Sequence, residues 1–461
     1  MQDLTSGSVS RHLLKTTGFM LVMMLFQTLY FLIDLYWVGR LGTDAVAAVG
    51  IAGNLSFVVL AITQMLGVGT ATVISHATGQ KNKDAANHLF NQSQGLAVAC
   101  GIAFWILAAL LRDPYTNAQS ANEDTTRLAR QYLDWFIPAM ALQFPLASMG
   151  SALRGVGNFK TGTIVGTGSV LVNMVLAPFL IFGWGTGRPF GVAGAAISSL
   201  VAILVATAWY LPSFTKHDAY LRFHPSEWKP AWAAWKRMLG IGLPAGFEFA
   251  IMAVYIALVY ALTRPFGAAA QAGFGIGQRV IQAGFMPVVA LGFSVAPVAG
   301  QNFGARLGDR VRATFKDAVI MATVVMAIFA LLSHVAPEGM IRVFTKDENV
   351  VAIGAEYLRI ISWNYVASGI IFVNSSMFQA MGNTIPSLFT STARILLVAV
   401  PAVILSRMPN FHLNEIWYLS MGAVIVQLAL SLWLLRREFR LRLNWDAPAM
   451  PPAESLGSAI A

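Results

Sequence analysis

Long apolar runs alternate with short polar segments along almost the whole chain. A helix needs about 20 predominantly apolar residues to cross the hydrocarbon core of a bilayer, and each run is at least that long. The fold class that follows is an all-α membrane protein. The pattern predicts twelve membrane-spanning helices, at residues 16–38, 46–72, 90–111, 131–153, 161–183, 191–213, 240–263, 273–297, 315–336, 353–378, 385–406 and 413–436.

The composition agrees with a membrane protein. Hydrophobic residues make up 56% of the 461 residues and charged residues only 11%, against roughly 25% charged in soluble domains. The single cysteine, Cys100, excludes a disulfide framework and a thiolate metal cluster. The net charge of +10 is spread over many loops instead of forming one basic face, so it does not indicate a nucleic-acid partner.

The basic residues are concentrated in alternate loops, which gives an orientation. If the N-terminus is cytoplasmic, the inside segments hold about twice as many basic residues as the outside loops. By the positive-inside rule we expect both termini in the cytoplasm and the chain in the inner membrane. The first span is too long for a cleaved signal peptide and lacks a small-residue cleavage site. The inside set is Arg11, Lys15, Lys81, Lys83, Arg154, Lys160, Lys216, Arg222, Lys229, Lys236, Arg237, Arg306, Arg310, Arg312, Lys316 and the cluster at 436–442.

An internal repeat relates the two halves of the chain. Landmarks recur 225 positions apart, and a Gly-Gln pair at 79–80 recurs at 300–301. Because six spans per copy is an even number, both copies enter the membrane from the same side. We expect two parallel six-helix bundles related by a pseudo-two-fold axis along the membrane normal. The landmarks at 225 are Gly42 and Gly267, Gly50 and Gly275, Tyr132 and Tyr357, and Gly157-Asn158 and Gly382-Asn383.

The domain boundaries follow from the repeat. We predict an N-terminal bundle at 1–214, a cytoplasmic linker at 215–237, a C-terminal bundle at 238–437 and a tail at 438–461. The linker carries Trp228, Trp232 and Trp235 at helical spacing beside basic residues, which is typical of an amphipathic helix at a membrane interface. The tail is rich in Pro and Ala and is predicted to be disordered.

Four segments resemble one family of transporters. They are "QTLYFLIDLYWVGRLG" in the first span, "ALRGVGNFKT" after the fourth, "GVAGAAISS" opening the sixth and "PVAGQNFGARLGDR" after the eighth. Together, over about residues 12–437, they resemble the multidrug and toxic compound extrusion (MATE) family, and within it the branch that includes the DNA-damage-inducible protein F group. The resemblance implies antiport, in which bulky, often cationic drugs are expelled in exchange for protons or sodium ions.

The first span contains one acidic residue, Asp34. An aspartate at the bilayer centre costs about 2.5 to 3.5 kcal/mol, so it persists only where it faces the bundle interior or has a function. Asp34 lies about 24 Å along its helix, in the outer half of the membrane, and capping of the span end is the alternative. Gln27, Tyr30 and Asp34 form a polar stripe on one helix face, which capping does not require. The resemblance places an essential aspartate at this position, and we expect Asp34 to bind the exchanged proton.

Further polar residues within the first six spans are candidates for a network with Asp34. The resemblance places Asn173 near the acid, Tyr30 one turn before it and Ser199 at a hydroxyl position, and Gln143 and Gln27 complete the predicted set. Ordinary hydrogen bonding between helices is the alternative for each.

This chain departs from the family pattern at two positions. Ala177 stands where some relatives carry a second aspartate, and the tenth span lacks the carboxylate that others carry. Because sodium needs several oxygen ligands while a proton needs one acceptor, these departures favour proton coupling.

In the second half, Glu248, Gln278, Gln282 and Arg394 are the candidate polar residues. We expect Glu248 to form an ion pair with Arg394 or to have another structural role, because both are predicted at a similar depth. A second protonation site at Glu248 is the alternative.

The sequence favours a secondary transporter over an enzyme. The seven histidines show no metal-ligand spacing, and no nucleotide-binding loop is present, so we expect no cofactor and no metal. The expected partners are lipophilic or cationic drugs, protons and the lipid bilayer, and we expect a monomer. The alternatives are sodium-coupled antiport on the same fold and a flippase for a lipid-linked substrate, for which a more basic cavity would be expected.

Overall fold

The computed structural model describes residues 2–185, 187–408 and 411–445, and the regular structure in these ranges is entirely helical. Fifteen α-helices are found there. They are α1 (Val9–Gly39), α2 (Thr43–Gly79), α3 (Lys83–Gln119), α4 (Glu123–Gly155), α5 (Phe159–Phe182), α6 (Val192–Tyr210), α7 (Pro212–Thr215), α8 (Trp232–Thr263), α9 (Ala268–Gly304), α10 (Gly308–Val335), α11 (Pro337–Arg342), α12 (Glu348–Ile361), α13 (Tyr365–Ala380), α14 (Ile385–Leu405) and α15 (Leu413–Arg442).

The long helices confirm the twelve predicted crossings, and many extend beyond the apolar runs. Helices α2 and α9 each have 37 residues, about 55 Å in length, whereas the hydrocarbon core is about 30 Å thick. Their polar ends therefore project beyond the apolar layer. Side chains cap several of these ends: Asn82 and Asn158 accept hydrogen bonds from the first turns of α3 and α5.

The tenth crossing is broken, which the sequence did not predict. In place of one continuous helix at 353–378, α12 and α13 are separated by a 3₁₀ turn at Ser362–Asn364. Eleven single helices in the described ranges are long and apolar enough to span a membrane, and this pair forms the twelfth crossing. The hydroxyl of Ser362 donates to the carbonyl of Arg359, and such local bonds compete with the helical pattern.

The two halves repeat the same arrangement. Helices α2 and α9 have equal length and lie 225 positions apart, as do α4 and the α12–α13 pair. Gly42 before α2 and Gly267 before α9 both have positive φ, 107° and 91°, a conformation that glycine adopts without strain. Here the N-half is residues 2–215 and the C-half is residues 232–445. The repeat predicted from the landmarks 225 positions apart is therefore confirmed by the helix lengths and turns. The two Gly-Gln pairs do not occupy equivalent places, since Gly79 ends α2 and Gly300 lies inside α9.

The first helix of each half packs partly on the other half. Leu4, Val9 and Leu13 lie in a core cluster with residues of α9, α10 and α13. Conversely, Met238 and Ile241 of α8 lie in the core cluster of the N-half. The segment before α1 and the end of α15 lie at the same side of the bundle, and we call that side the terminal face and the other the opposite face.

The linker differs from the single interfacial helix that we predicted. A 3₁₀ turn covers Pro225–Trp228, extended backbone follows, and Trp232 already begins α8. The physical reason lies on α3, where three amide side chains bind the linker backbone. Asn87 bonds to Tyr220 and Arg222, Asn91 to Arg222 and His224, and Gln92 to Glu227, Lys229 and Ala231.

The predicted tail lies mostly outside the described residues. Helix α15 continues to Arg442, so the first five residues assigned to the tail are helical. Residues 446–461 are not described.

Candidate functional site

The Asp34 carboxylate lies on α1, five residues before the helix ends at Gly39. The residue is half-buried. Its Oδ1 atom is buried and has no hydrogen-bond partner in the described part of the chain. Burial of an unpaired polar atom is costly, because water can no longer solvate it. A carboxylate that only capped the helix end would keep its oxygens in water or on a donor. The geometry therefore favours a site that binds a ligand or a proton over a cap.

Three of the predicted network residues lie together one turn from Asp34. The Tyr30 hydroxyl lies 3.2 Å from the Ser199 hydroxyl, and the Asn173 side-chain amide donates to the same Ser199 oxygen at 3.1 Å. Asn173 and Ser199 are buried, and the Oδ1 atom of Asn173 has no partner in the described residues. Helices α1, α5 and α6 are thus joined by one polar cluster with a free acceptor.

Two predicted members do not join this cluster. Gln27 is exposed and Gln143 is half-buried, and no hydrogen bond from either to Tyr30, Asp34, Asn173 or Ser199 is found among the described residues. The spacing on α1 predicted a continuous polar stripe, but it did not determine how far the stripe extends into the bundle.

Tyr132 lies near this cluster and was not among the predicted site residues, although it is a repeat landmark. Tyr132 is buried on α4, within electrostatic range of Asp34 and Tyr30. Its counterpart, Tyr357, donates a hydrogen bond to Gln278 at 2.9 Å. A tyrosine kept at the same place in both copies was the available signal.

The C-half repeats part of the N-half site. Tyr255 lies 225 positions after Tyr30, and its hydroxyl lies 2.9 Å from that of Ser420 on α15, as Tyr30 lies against Ser199 on α6. The acid is not repeated, because the position 225 after Asp34 is Val259, which is 1% exposed. The two halves therefore share a Tyr–Ser contact and differ in the carboxylate beside it.

Glu248 does not form the predicted ion pair with Arg394. Its carboxylate accepts hydrogen bonds from three serine hydroxyls, Ser375 at 3.3 Å, Ser387 at 2.8 Å and Ser391 at 2.8 Å. These hydroxyls supply the donors that a buried carboxylate requires. The ion-pair prediction is wrong because similar depth does not place two side chains on facing sides of their helices.

The remaining candidates of the second half lie apart from Glu248. The Arg394 guanidinium lies over the Tyr255 ring at 5.3 Å from its centroid, a cation–π contact, and its buried Nε atom has no partner in the described residues. Gln278 accepts the hydrogen bond from the Tyr357 hydroxyl, whereas Gln282 is exposed.

The two halves are joined at the terminal face. Within the described ranges, hydrogen bonds between the halves are found only toward that face, as for Thr72 with the Gln379 carbonyl at 3.1 Å. The part of α1 that carries Asp34 instead contacts its own half, with Trp37 against Phe182 at 5.9 Å between ring centroids. The structure is therefore closed at the terminal face.

The described residues contain no group of three or more His, Cys, Asp or Glu side chains placed to hold a metal ion. The polar sites consist of single carboxylates surrounded by hydroxyl and amide groups.

Comparison with known proteins shows the family to which the chain is similar. The MatE family model matches residues 20–179 and 244–404, one segment in each half. The probable multidrug resistance protein YoeA of Bacillus subtilis (strain 168) is 24% identical over 409 residues, which are 87% of each chain. An FAD transporter of Shewanella oneidensis is 25% identical over 378 residues, 80% of this chain and 82% of that protein. A solved outward-facing multidrug resistance MATE family transporter has a TM-score of 0.87 at 22% identity, covering 95% of this chain and 97% of that one.

The family match takes in a segment of each copy of the repeat, and these segments include Asp34 and Glu248. Helices α6 and α15 lie outside the matched residues. The match supports the prediction of a transporter over an enzyme. The assignment to the branch with the DNA-damage-inducible protein F group stays a prediction. The chain belongs to the MATE family of membrane transporters.

Proposed function

We propose that this chain exports bulky lipophilic, often cationic compounds in exchange for protons, and that Asp34 carries the exchanged proton. The observation that supports this most is the buried, unpaired carboxylate oxygen of Asp34. A proton or a cationic group of the drug would each satisfy that oxygen. One carboxylate would therefore serve two ligands in turn, and exchange follows from their competition.

The position of α1 links this competition to a conformational change. Its terminal-face end packs in the core of the C-half, while Tyr30 bonds to Ser199 in the N-half. Neutralising Asp34 alters the charge beside the Tyr30 contact, and α1 transmits the effect to both halves. With the terminal face cytoplasmic, as the basic residues predict, the described arrangement corresponds to the outward-facing state.

The energetics set the size of the drug gradient. A pH difference of one unit supplies about 1.4 kcal/mol per proton. If one proton enters while one monovalent cation leaves, no net charge crosses, and about a tenfold drug gradient per pH unit results. A neutral drug would also be driven by the membrane potential, about 2.3 kcal/mol per 100 mV, which raises the limit to several hundredfold.

Sodium-coupled antiport is the second candidate, and one observation favours it. Glu248 and its three serines form an oxygen-only cluster, and the Oε1 atom of nearby Gln427 is buried without a partner in the described residues. Oxygen ligands are those that hard cations prefer. The flippase alternative has weaker support, since Arg394 is held over Tyr255 and Arg279 is exposed.

The test is dye transport in inverted membrane vesicles, where export from the cytoplasmic side is measured as uptake, with pH and sodium gradients imposed separately. A protonophore is expected to abolish transport of a cationic dye, and Asp34→Asn is expected to abolish it at normal expression. Asp124→Asn is the matched control, because that aspartate is exposed and its one ion pair among the described residues is with exposed Arg127. Transport that survives Asp34→Asn, or that follows sodium at fixed pH, rejects the proposed coupling.

The substrate panel should include an anionic dinucleotide beside cationic dyes. The relative from Shewanella oneidensis is an FAD transporter, so the family fold alone does not establish a cationic substrate. Competition by FAD, with no effect of cationic dyes, would reject the proposed substrate class.

A further inference from the structure

Helices α2 and α9 cross at a pair of glycines on the terminal face. A Cβ atom on Gly79 would overlap the carbonyl oxygen of Gln301, and a Cβ on Gly304 would overlap the carbonyl oxygen of His76. The two glycines are 225 positions apart, and so are the two residues whose carbonyls they meet. The crossing is therefore close to the pseudo-two-fold axis that relates the halves.

The side chains of the same two residues reach across to the other half. His76 lies with Nε2 at 2.7 Å from the Ala380 carbonyl oxygen, and the Gln301 amide donates to the Gly155 carbonyl oxygen at 2.8 Å. Ala380 and Gly155 are the last residues of α13 and α4, and they too are 225 positions apart. The final carbonyls of a helix have no partner within it. Each half thus caps a helix end of the other.

The surroundings of His76 agree with this role. Arg237 on α8 lies with Nη2 at 3.4 Å from His76 Nδ1. An imidazole that accepts at Nδ1 carries its proton on Nε2, where it donates to the Ala380 carbonyl. His76 is 5% exposed and Gln301 is 1% exposed, so neither side chain has water as a ready substitute partner.

The segment before α1 lies against the Gln301 contact. The backbone N–H of Leu4 donates to Gln301 Oε1 at 3.1 Å, and the N–H of Gln2 donates to the Val156 carbonyl at 3.3 Å. Arg310 binds the carbonyls of Leu4 and Gly7. Gln301 therefore uses both ends of its amide, one for the N-half helix and one for the N-terminal segment.

We propose that His76 and Gln301 are positioning residues that hold the terminal face shut, as a two-fold pair of locks in the transport cycle. The inference rests on the proposed alternating-access export. Both bonds join the halves and neither lies within a half, so both must break when the terminal face opens. Because the axis passes between them, a rotation of one half against the other lengthens both bonds together.

The test measures the population of the closed face directly. Spin labels are placed on cysteines at Asp84 and Asp309 in a Cys100→Ala background. Both sites are exposed, lie in the first turns of α3 and α10 and are 225 positions apart. Pulsed electron paramagnetic resonance spectroscopy of the purified, drug-free protein then gives the distribution of distances between the two labels across the terminal face.

The expected result is a shift toward longer distances when either lock is removed. A lost hydrogen bond changes an equilibrium about three- to tenfold, so His76→Ala and Gln301→Ala should each raise the ratio of open to closed molecules by that factor. Gln301→Asn, which is one methylene too short to reach Gly155, should act like the alanine variant. Gln301→Asn can also replace Gln301→Ala in the test if the alanine variant fails to fold.

The repeat supplies the rescue and the control. His76→Gln and Gln301→His each install the residue of the equivalent position, so both should keep the closed population. Gln80→Ala is the matched control, because Gln80 belongs to the other Gly-Gln pair and is exposed.

Unchanged distances in His76→Ala and Gln301→Asn would overturn the proposal. A shift in His76→Gln as large as in His76→Ala would also overturn it, because glutamine keeps the donor. The measurement needs no drug and no gradient, so its outcome is independent of the Asp34→Asn transport test that decides the proposed function.

Discussion

The serine cluster around Glu248 makes a quantitative prediction about stability. Ser391 on α14 donates to Glu248 Oε1 at 2.8 Å, and no other hydrogen bond to that oxygen is found in the described residues. Ser391→Ala removes this donor and leaves the oxygen unpaired beside the methyl group. The other two serines both donate to Oε2, so they cannot replace the lost bond without moving.

The expected loss of stability follows from two ranges of measured hydrogen-bond energies. Hydrogen bonds to charged groups contribute about 1.5 to 3 kcal/mol in soluble proteins. Hydrogen bonds between membrane helices average about 0.6 kcal/mol and reach about 1.7 kcal/mol. Because Ser391 is the single donor to its oxygen, we expect a value near the upper end of the membrane range. The unfolding free energy should fall by about 1.5 kcal/mol, roughly a tenfold change in the equilibrium constant.

The assay is reversible unfolding of the purified protein by sodium dodecyl sulfate in mixed micelles. A double-mutant cycle with Glu248→Leu, which removes the acceptor, isolates the pairwise energy, for which we expect about 1 kcal/mol. Thr392→Val is the matched control, since in the described part of the chain its hydroxyl donates only to the Leu388 carbonyl of its own helix at 2.8 Å. We expect that control to lie within about 0.5 kcal/mol of wild type.

Two results would refute this reasoning. One is a stability of Ser391→Ala within about 0.3 kcal/mol of wild type. The other is full additivity of Ser391→Ala and Glu248→Leu, since independent effects mean that the two groups do not interact. Either result would remove the support that this cluster gives to a cation site.

Two further variants test the polar contacts of the N-half. Tyr30→Phe removes the hydroxyl that contacts Ser199 and should lower dye transport about three- to tenfold at normal expression. Tyr36→Phe, at an exposed position, should transport like wild type. Equal transport by both variants would exclude the Tyr30 contact from the mechanism. Asn91→Ala removes two bonds to the linker backbone and should speed tryptic cleavage after Arg222 several-fold, while an unchanged cleavage rate would show that the linker is held by other contacts.

The fold was largely predictable from the sequence. Apolar runs of sufficient length predict crossings because an unpaired backbone cannot be placed in hydrocarbon. Landmark glycines such as Gly42 and Gly267 revealed the repeat because their positive φ restricts the residue type. The break at Ser362–Asn364 was not predictable, since the flanking residues are apolar and no proline marks it.

The site was predictable only in part. Sequence placed Tyr30, Asn173 and Ser199 near one another through the resemblance, and the structure joins them. Helical periodicity gives the face of a residue relative to its own helix, but the rotation of that helix in the bundle depends on packing. For that reason Gln27 was predicted in the network although it is exposed.

The linker shows a related limit. Three tryptophans at helical spacing predicted an interfacial helix, but spacing says nothing about side chains elsewhere that bind the backbone. Asn87, Asn91 and Gln92 lie more than 120 positions before the segment they hold, and each bonds to it. Amides at adjacent turns of α3 were the visible signal, and only their surroundings reveal the partner.

The burial of the N-terminal segment in the C-half has a consequence for biosynthesis. Leu4 bonds to Gln301, which lies 297 positions later in the chain. At about 5 to 20 residues per second, the ribosome needs roughly 15 to 60 s to deliver that partner. During that interval the segment before α1 can contact only lipid headgroups, water or a chaperone. An insertion factor that covers this segment would therefore protect the nascent chain from proteolysis until Gln301 has been synthesised.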